Sequence, residues 1–289
     1  MGREMIMRSS ANLGSFNCLL VVVLTTTIVM SSMIVDGYYG YNDYNAPPSA
    51  PPGAPVYKPS TDWIYAHATF YGDESVSETM GGACGYGNLH DNGYGIATAA
   101  VSSVMFNNGE ICGACYEIKC VESKWCYKDG PIIKITATNL CPPNWYQSAD
   151  DGGWCNPPRS HFDLSKLMFM KIAEWTAGIV PVQYRRVPCI RQGGIRYQFQ
   201  GNPYWLLVYV MNVGGSGDVE KMWVKGSKSI EWICMTRNWG ASFQVFSELG
   251  GQSLSFKVKN GAGHTLVDYD VAPSYWSTSQ TYEGRINFY

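Results

Sequence analysis

The chain has 289 residues, and its 21 Lys and Arg against 23 Asp and Glu leave a formal net charge of −2. A balance so near zero gives no charge signal for nucleic acid or for an acidic polymer, and a neutral polymer fits better. Ten cysteines and ten tryptophans suit an oxidised, extracellular chain rather than a reduced cytosolic one.

Residues 1–36 read as a signal peptide. Arg3 and Arg8 give a weakly basic start, and no charge then occurs until Asp36. The apolar run between them, centred on Leu19–Leu24, is long enough to anchor. However, Thr25-Thr26-Thr27 and Ser31-Ser32 dilute it and small residues follow, as cleavage near 32–37 requires. Residues 37–60 are rich in Tyr, Pro, Gly and Asn; they form a linker that cannot bury a core of its own. No Asn-x-Ser/Thr sequon is present.

Residues 61–190 form the first domain. Ala66–Tyr71 and the β-branched run Ile132–Thr138 read as strands. A helix is expected from Asp163 or Ser165, through Leu167, Met168, Met170, Ile172 and Ala173, to Gly178, and a second near Thr98. Cys84, Cys112, Cys115, Cys120, Cys126, Cys141, Cys155 and Cys189 are an even set, which reads as four bridges whose pairing spacing alone does not give. Cys112 and Cys115 have zinc-like CxxC spacing, but secretion and the lack of a second such pair argue against metal.

A connector follows at 191–202, beginning with Arg191-Gln192-Gly193-Gly194, and then a second domain at 203–289. Short alternating strands at 204–213, Phe243–Ser247, Leu254–Val258 and Thr265–Tyr269 indicate a small β-sandwich. Cys234, in an alternating run from Ile230 to Met235, is expected to be a buried, inert thiol.

Two sets of residues carry chemistry. Asp163, closing His161-Phe162-Asp163, has the character of a general acid on an apolar shelf, where desolvation raises a carboxyl's pKa. Glycosidic hydrolysis needs a second carboxylate, and none is obvious. The tryptophans of the second domain suit the flat CH faces of glucans.

Six motifs occur in order: Thr69-Phe70-Tyr71-Gly72, Gly81-Gly82-Ala83-Cys84-Gly85-Tyr86-Gly87, Phe106-Asn107-Asn108-Gly109, Cys115-Tyr116-Glu117-Ile118-Lys119-Cys120, His161-Phe162-Asp163 and Tyr184-Arg185-Arg186-Val187-Pro188-Cys189. From about Trp63 onward the chain resembles a plant α-type expansin. The resemblance implies an all-β, two-domain fold: a six-stranded double-psi β-barrel, shared with family-45 endoglucanases, then an immunoglobulin-like β-sandwich that binds cellulose. It implies bridges Cys84–Cys112, Cys115–Cys189, Cys120–Cys126 and Cys141–Cys155. It further implies a secreted, monomeric wall protein, with peripheral membrane association as a further expectation. Such a protein takes cellulose and xyloglucan-type matrix glucans as partners, uses no cofactor or metal, and loosens walls at acid pH without hydrolysis.

Asp163 then corresponds to the family's essential acid, with Thr69 and Tyr71 lining its groove and His161 orienting the loop. Asn139 stands where bacterial and β-type relatives carry Asp; an amide can bond sugar but takes no proton. Asp73 completes the Thr-x-Tyr-x-Asp pattern of the endoglucanases, so a hydrolase using Asp163 as acid and Asp73 as base is the rival reading. Trp205 and Trp239 align with platform aromatics. Tyr204 and Trp276 are weaker candidates, and Lys221 and Lys225 are most simply solvated charges.

Overall fold

The computed structural model describes residues 49–73 and 81–289. The expected signal peptide and the first half of the expected linker, residues 37–48, lie outside the described residues.

Six strands close into a barrel: β1 (Ile64–Tyr71), β2 (Thr98–Ser102), β3 (Cys115–Cys120), β4 (Ile133–Cys141), β5 (His161–Ser165) and β6 (Val180–Val187), in the order β1-β5-β2-β4-β3-β6. β1 runs parallel to β5 and β2 parallel to β4; the other pairs are antiparallel. This is the double-psi barrel. The two-residue period of a strand turns Ala66 and Ala68 of β1 and Phe162 and Leu164 of β5 into the core. Tyr116, Phe162 and Tyr184 fill it edge to face, with centroids 4.9–5.7 Å apart. His67, Thr69 and Tyr71 consequently share the outer face with His161, Asp163 and Ser165.

Both helix expectations need correction. Thr98 opens β2, whose five residues are all buried; the helix near it, α1, is the single turn Ser103–Phe106. The run after Asp163 gives one α-helical turn, α2 (Lys166–Phe169), and a separate 3-10 turn at Trp175–Ala177, because tertiary pairing at Ile172 and Ala173 interrupts the helix between them. The Ile172 carbonyl accepts from the Tyr127 amide at 3.1 Å, and Ala173 bridges to Cys126. Asp163 lies inside β5 and caps nothing. Ser165 holds the cap position, but its hydroxyl donates to the Ile96 carbonyl at 2.7 Å.

Eight antiparallel strands form the second domain: β7 (Arg196–Asn202), β8 (Trp205–Met211), β9 (Val219–Gly226), β10 (Ile233–Arg237), β11 (Ser242–Phe246), β12 (Leu254–Asn260), β13 (Thr265–Ala272) and β14 (Thr281–Glu283), in the order β13-β12-β9-β10-β11-β8-β7-β14. Ile233–Met235 of β10 pair with β9, while Thr236 and Arg237 pair with β11. The sheet folds over at β10 into a sandwich. Tyr197 of β7 stacks at 4.5 Å on Phe256 of β12, far away in strand order.

The connector read at 191–202 is shorter than expected. Ile195 is already in the sandwich core, and 196–202 is β7. Residues 49–60 have no regular structure, yet they are fastened: Tyr57 donates its amide to the Tyr289 carbonyl at 2.7 Å and Ser60 to that of Arg186 at 2.9 Å. Cys234 corrects another expectation. It is exposed and outside the disulfides, because Met235 is the β10 residue that turns into the core. All four implied bridges are present.

Candidate functional site

An open groove of about 480 Å³ runs across the barrel. Its lining includes Thr69, Phe70, Asp163, Asn144, Trp154 and Gly178. Parallel register sets Thr69 beside Asp163. The Thr69 hydroxyl donates to Asp163 Oδ1 at 2.7 Å and accepts from His161 Nε2 at 2.8 Å. A hydroxyl has one proton to give, so with Asp163 ionised His161 carries its own proton on Nε2. Its Nδ1 is buried with no protein partner, as a neutral ring permits.

Burial pushes the Asp163 carboxyl up from its ordinary value, and the Thr69 hydrogen bond partly offsets this. Burial first, then the charges of His67 and Arg159, push His161 down to about 3. His161 thus stays neutral and orients Thr69. Tyr71 is raised, by burial first and also by the Asp163 charge.

Two predicted site residues stand apart. Asn139 is two strands from Asp163, with Ala100 paired to both, a span of roughly 10 Å. Its side-chain oxygen accepts the amides of Ala83 and Leu140 at 2.7 and 2.8 Å, so it pins the loop before β2. Asp73 lies beyond the end of β1, is exposed, and is absent from the groove lining.

Sequence reasoning missed the loop between Cys141 and Cys155. The Cys141–Cys155 bridge closes its base. Buried Asn156 ties it inside by accepting the Asn144 amide and donating to the carbonyls of Asn144 and Gln147. Trp154 enters the groove lining, while Trp145 and Tyr146 are 72% and 100% exposed. The available signal was three rings in a polar, Gly-bearing, stapled loop.

On the sandwich, Trp205 stacks on Phe246, with centroids 6.4 Å apart and ring planes 23° apart. Gln244 accepts from Trp205 Nε1 at 3.3 Å and from Asn238 Nδ2 at 3.1 Å. Trp239 is 46% exposed and rests on Phe106 of the barrel at 5.5 Å. The sheet thus presents rings and amides on one face, and Trp239 borders the barrel. Phe246, at 74% exposure, was also missed, although alternation in β11 turns Phe243 and Val245 inward. Tyr204 is exposed but lies in the turn between β7 and β8, outside the strand that carries Trp205. Trp276 is not a surface ring: it packs edge-on against Phe199 in the core at 5.4 Å.

Two domain families match. One described as "Lytic transglycolase" covers residues 98–184, and "Expansin C-terminal domain" covers 195–273. Among solved structures, the apo Clavibacter michiganensis expansin superposes with a TM-score of 0.59 at 17% identity, covering 79% of this chain and 98% of that one. That likeness is one of fold. Barrel, groove and sandwich together define an expansin-type two-domain protein. Expansin-A7 of Arabidopsis thaliana is 60% identical over 236 residues, which is 81% of this chain and 89% of the relative. Putative expansin-A30 of Oryza sativa subsp. japonica is 59% identical over 229 residues, covering 78% and 86%. The chain belongs to the expansin-A family.

Proposed function

We propose that this protein is secreted to the plant cell wall and loosens it by gripping glucan without cutting. The observation that carries this reading is the composition of the groove. Among the described residues that line it, Asp163 is the only carboxylic acid. Inverting hydrolysis needs a second carboxyl roughly 6.5–9.5 Å away across the groove. Asp73 faces solvent past β1 and Asn139 is an amide. A related structure, a variant of the Clavibacter michiganensis expansin, was solved in complex with cellohexaose, which supports a β-linked glucan as ligand.

In this reading one glucan strand, cellulose or xyloglucan, lies in the groove between Asp163 and the Trp154 loop. Asp163 has its pKa raised by burial, so acid conditions hold it protonated, and it offers sugar an O–H donor as well as an acceptor. Trp205, Phe246 and Trp239 anchor the molecule on a second chain. Replacing one strand's hydrogen bonds lets stressed polymers slide, with no covalent step. The protein acts as a monomer.

The test is extension of heat-inactivated walls under load at acid pH. Asp163→Asn abolishes extension, Asp73→Asn retains it, and neither wild type nor variant releases reducing ends from soluble glucan. Reducing ends that vanish in Asp73→Asn would establish the endoglucanase reading instead.

A further inference from the structure

We propose that a second face of the sandwich binds a carboxylate-bearing polysaccharide, a chain of uronic acid residues. The proposal rests on the wall-polymer reading above. The face is the outer side of β9, β12 and the start of β10, where Trp223 is registered against both Lys257 and Cys234.

Rings and ammonium groups alternate there. Lys257 Nζ lies 4.5 Å from the Trp223 ring centroid and 5.2 Å from that of Trp232. Lys225 Nζ lies 5.4 Å from Trp232 and 5.3 Å from Tyr269. The row reads Trp223, Lys257, Trp232, Lys225, Tyr269, so two like charges share one ring. Strand alternation adds Lys221 and Lys259 to this face. Among these four lysines one ion pair forms, Lys259 with Glu220 at 2.8 Å. A net charge of −2 for the whole chain conceals this local excess of positive charge.

The physical case is complementarity. Like charges crowded together repel, and an arriving anion relieves that cost. Each ring attracts its ammonium through the negative face of its π-system. The lysine heads are therefore held before binding, which lowers the rotamer entropy that a free lysine loses on binding. Lysine serves as a point charge here, without the guanidinium fork that reads planar phosphate. Tyr269, 55% exposed, leaves ring surface for a sugar face. Repeating carboxylates on a pyranose chain satisfy both features, whereas a neutral glucan leaves the charges unanswered.

The experiment uses the full chain and three probes: polygalacturonate, its fully methyl-esterified form, and insoluble cellulose. Wild type binds polygalacturonate, loses it as salt rises, and ignores the ester. The double variant Lys225→Gln with Lys257→Gln melts at the wild-type temperature and binds cellulose unchanged. Its affinity for polygalacturonate falls about tenfold, as expected for two exposed charge contacts. Equal binding to the ester, or unchanged affinity in the double variant, overturns the proposal. Tighter binding to phosphatidylserine vesicles, lost in the same variant, would assign the face to a membrane and also overturn it. Failure of the wild type on cellulose alone would count against the glucan reading and leave this face standing.

Discussion

One hydroxyl proton organises the groove. Thr69 stands between a buried neutral imidazole and a buried carboxyl, donating to Asp163 and accepting from His161. Thr69→Val removes both contacts and leaves two buried partners unpaired, at a cost of about 1–3 kcal/mol. Because this hydrogen bond is what lowers Asp163, the variant moves the Asp163 titration further up. A pH profile of wall extension reads that as the loss of extension on raising pH displaced to higher pH. The two buried groups also give opposite pH dependence to stability. His161 is held at about 3, below its unfolded value near 6.5. The unfolded chain then binds the extra proton, and stability falls as pH drops from about 6.5 towards 3, by order 2 kcal/mol at about pH 4.5. Asp163 is raised, so the folded state binds the extra proton, and stability falls as pH rises from about 4 through the raised value. Melting curves across pH check both: His161→Gln flattens the acid-side loss, and Asp163→Asn removes the fall above pH 4. The residue types of this site were legible in the sequence. The contact was not, since Thr69 and Asp163 are 94 positions apart. Nor did sequence reveal that Asn139 gives its oxygen to two backbone amides.

At the scale of elements, alternation predicted well where one strand face is wet. β8, β12 and β13 fall within a few residues of their expected places. It failed where strands are buried on both sides: β2 reads Thr-Ala-Ala-Val-Ser, a pattern with no wet face to mark it. It also failed after Asp163, where apolar spacing suited a helix but pairing with the Cys120–Cys126 loop took the backbone. The exposed face of β11 is where alternation carries a consequence for binding. Phe246 sits opposite Trp205 in register and covers it. Phe246→Ala removes a ring pair worth about 0.5–1.5 kcal/mol, and at this exposed position stability falls by no more than about that amount. Cellulose pull-down weakens several-fold; unchanged pull-down with an unchanged melting temperature would remove Phe246 from the platform.

At the scale of the molecule, the two domains meet through backbone. Gly109 and Gly240 touch: a Cβ on Gly109 would lie 2.4 Å from Gly240 Cα, and one on Gly240 would lie 2.5 Å from the Ala83 carbonyl oxygen. Arg237 clasps the joint, donating to the Gly109 and Gly240 carbonyls at 3.3 and 2.6 Å, and Arg186 pairs with Asp218 at 3.1 Å. Gly240 has φ 56°, so Gly240→Ala meets both a clash and left-handed strain, at about 2–3 kcal/mol. The expected outcome is a protein that still binds cellulose but loses wall extension, because groove and platform no longer share one rigid frame. Retained extension would show that the joint is dispensable. Sequence by itself determined the β-rich character of both domains and the even cysteine set, because these depend on residue type and local period, and the resemblance carried by its ordered motifs supplied the class of protein and pointed to Asp163. Tertiary structure alone decided that Asp73 is exposed outside the groove lining, that Phe246 lies exposed beside Trp205 and Trp154 lines the groove while Trp276 packs against Phe199, and that lysines and rings interleave on the second face. Each of those depends on which distant strands become neighbours, and spacing along one chain does not encode that.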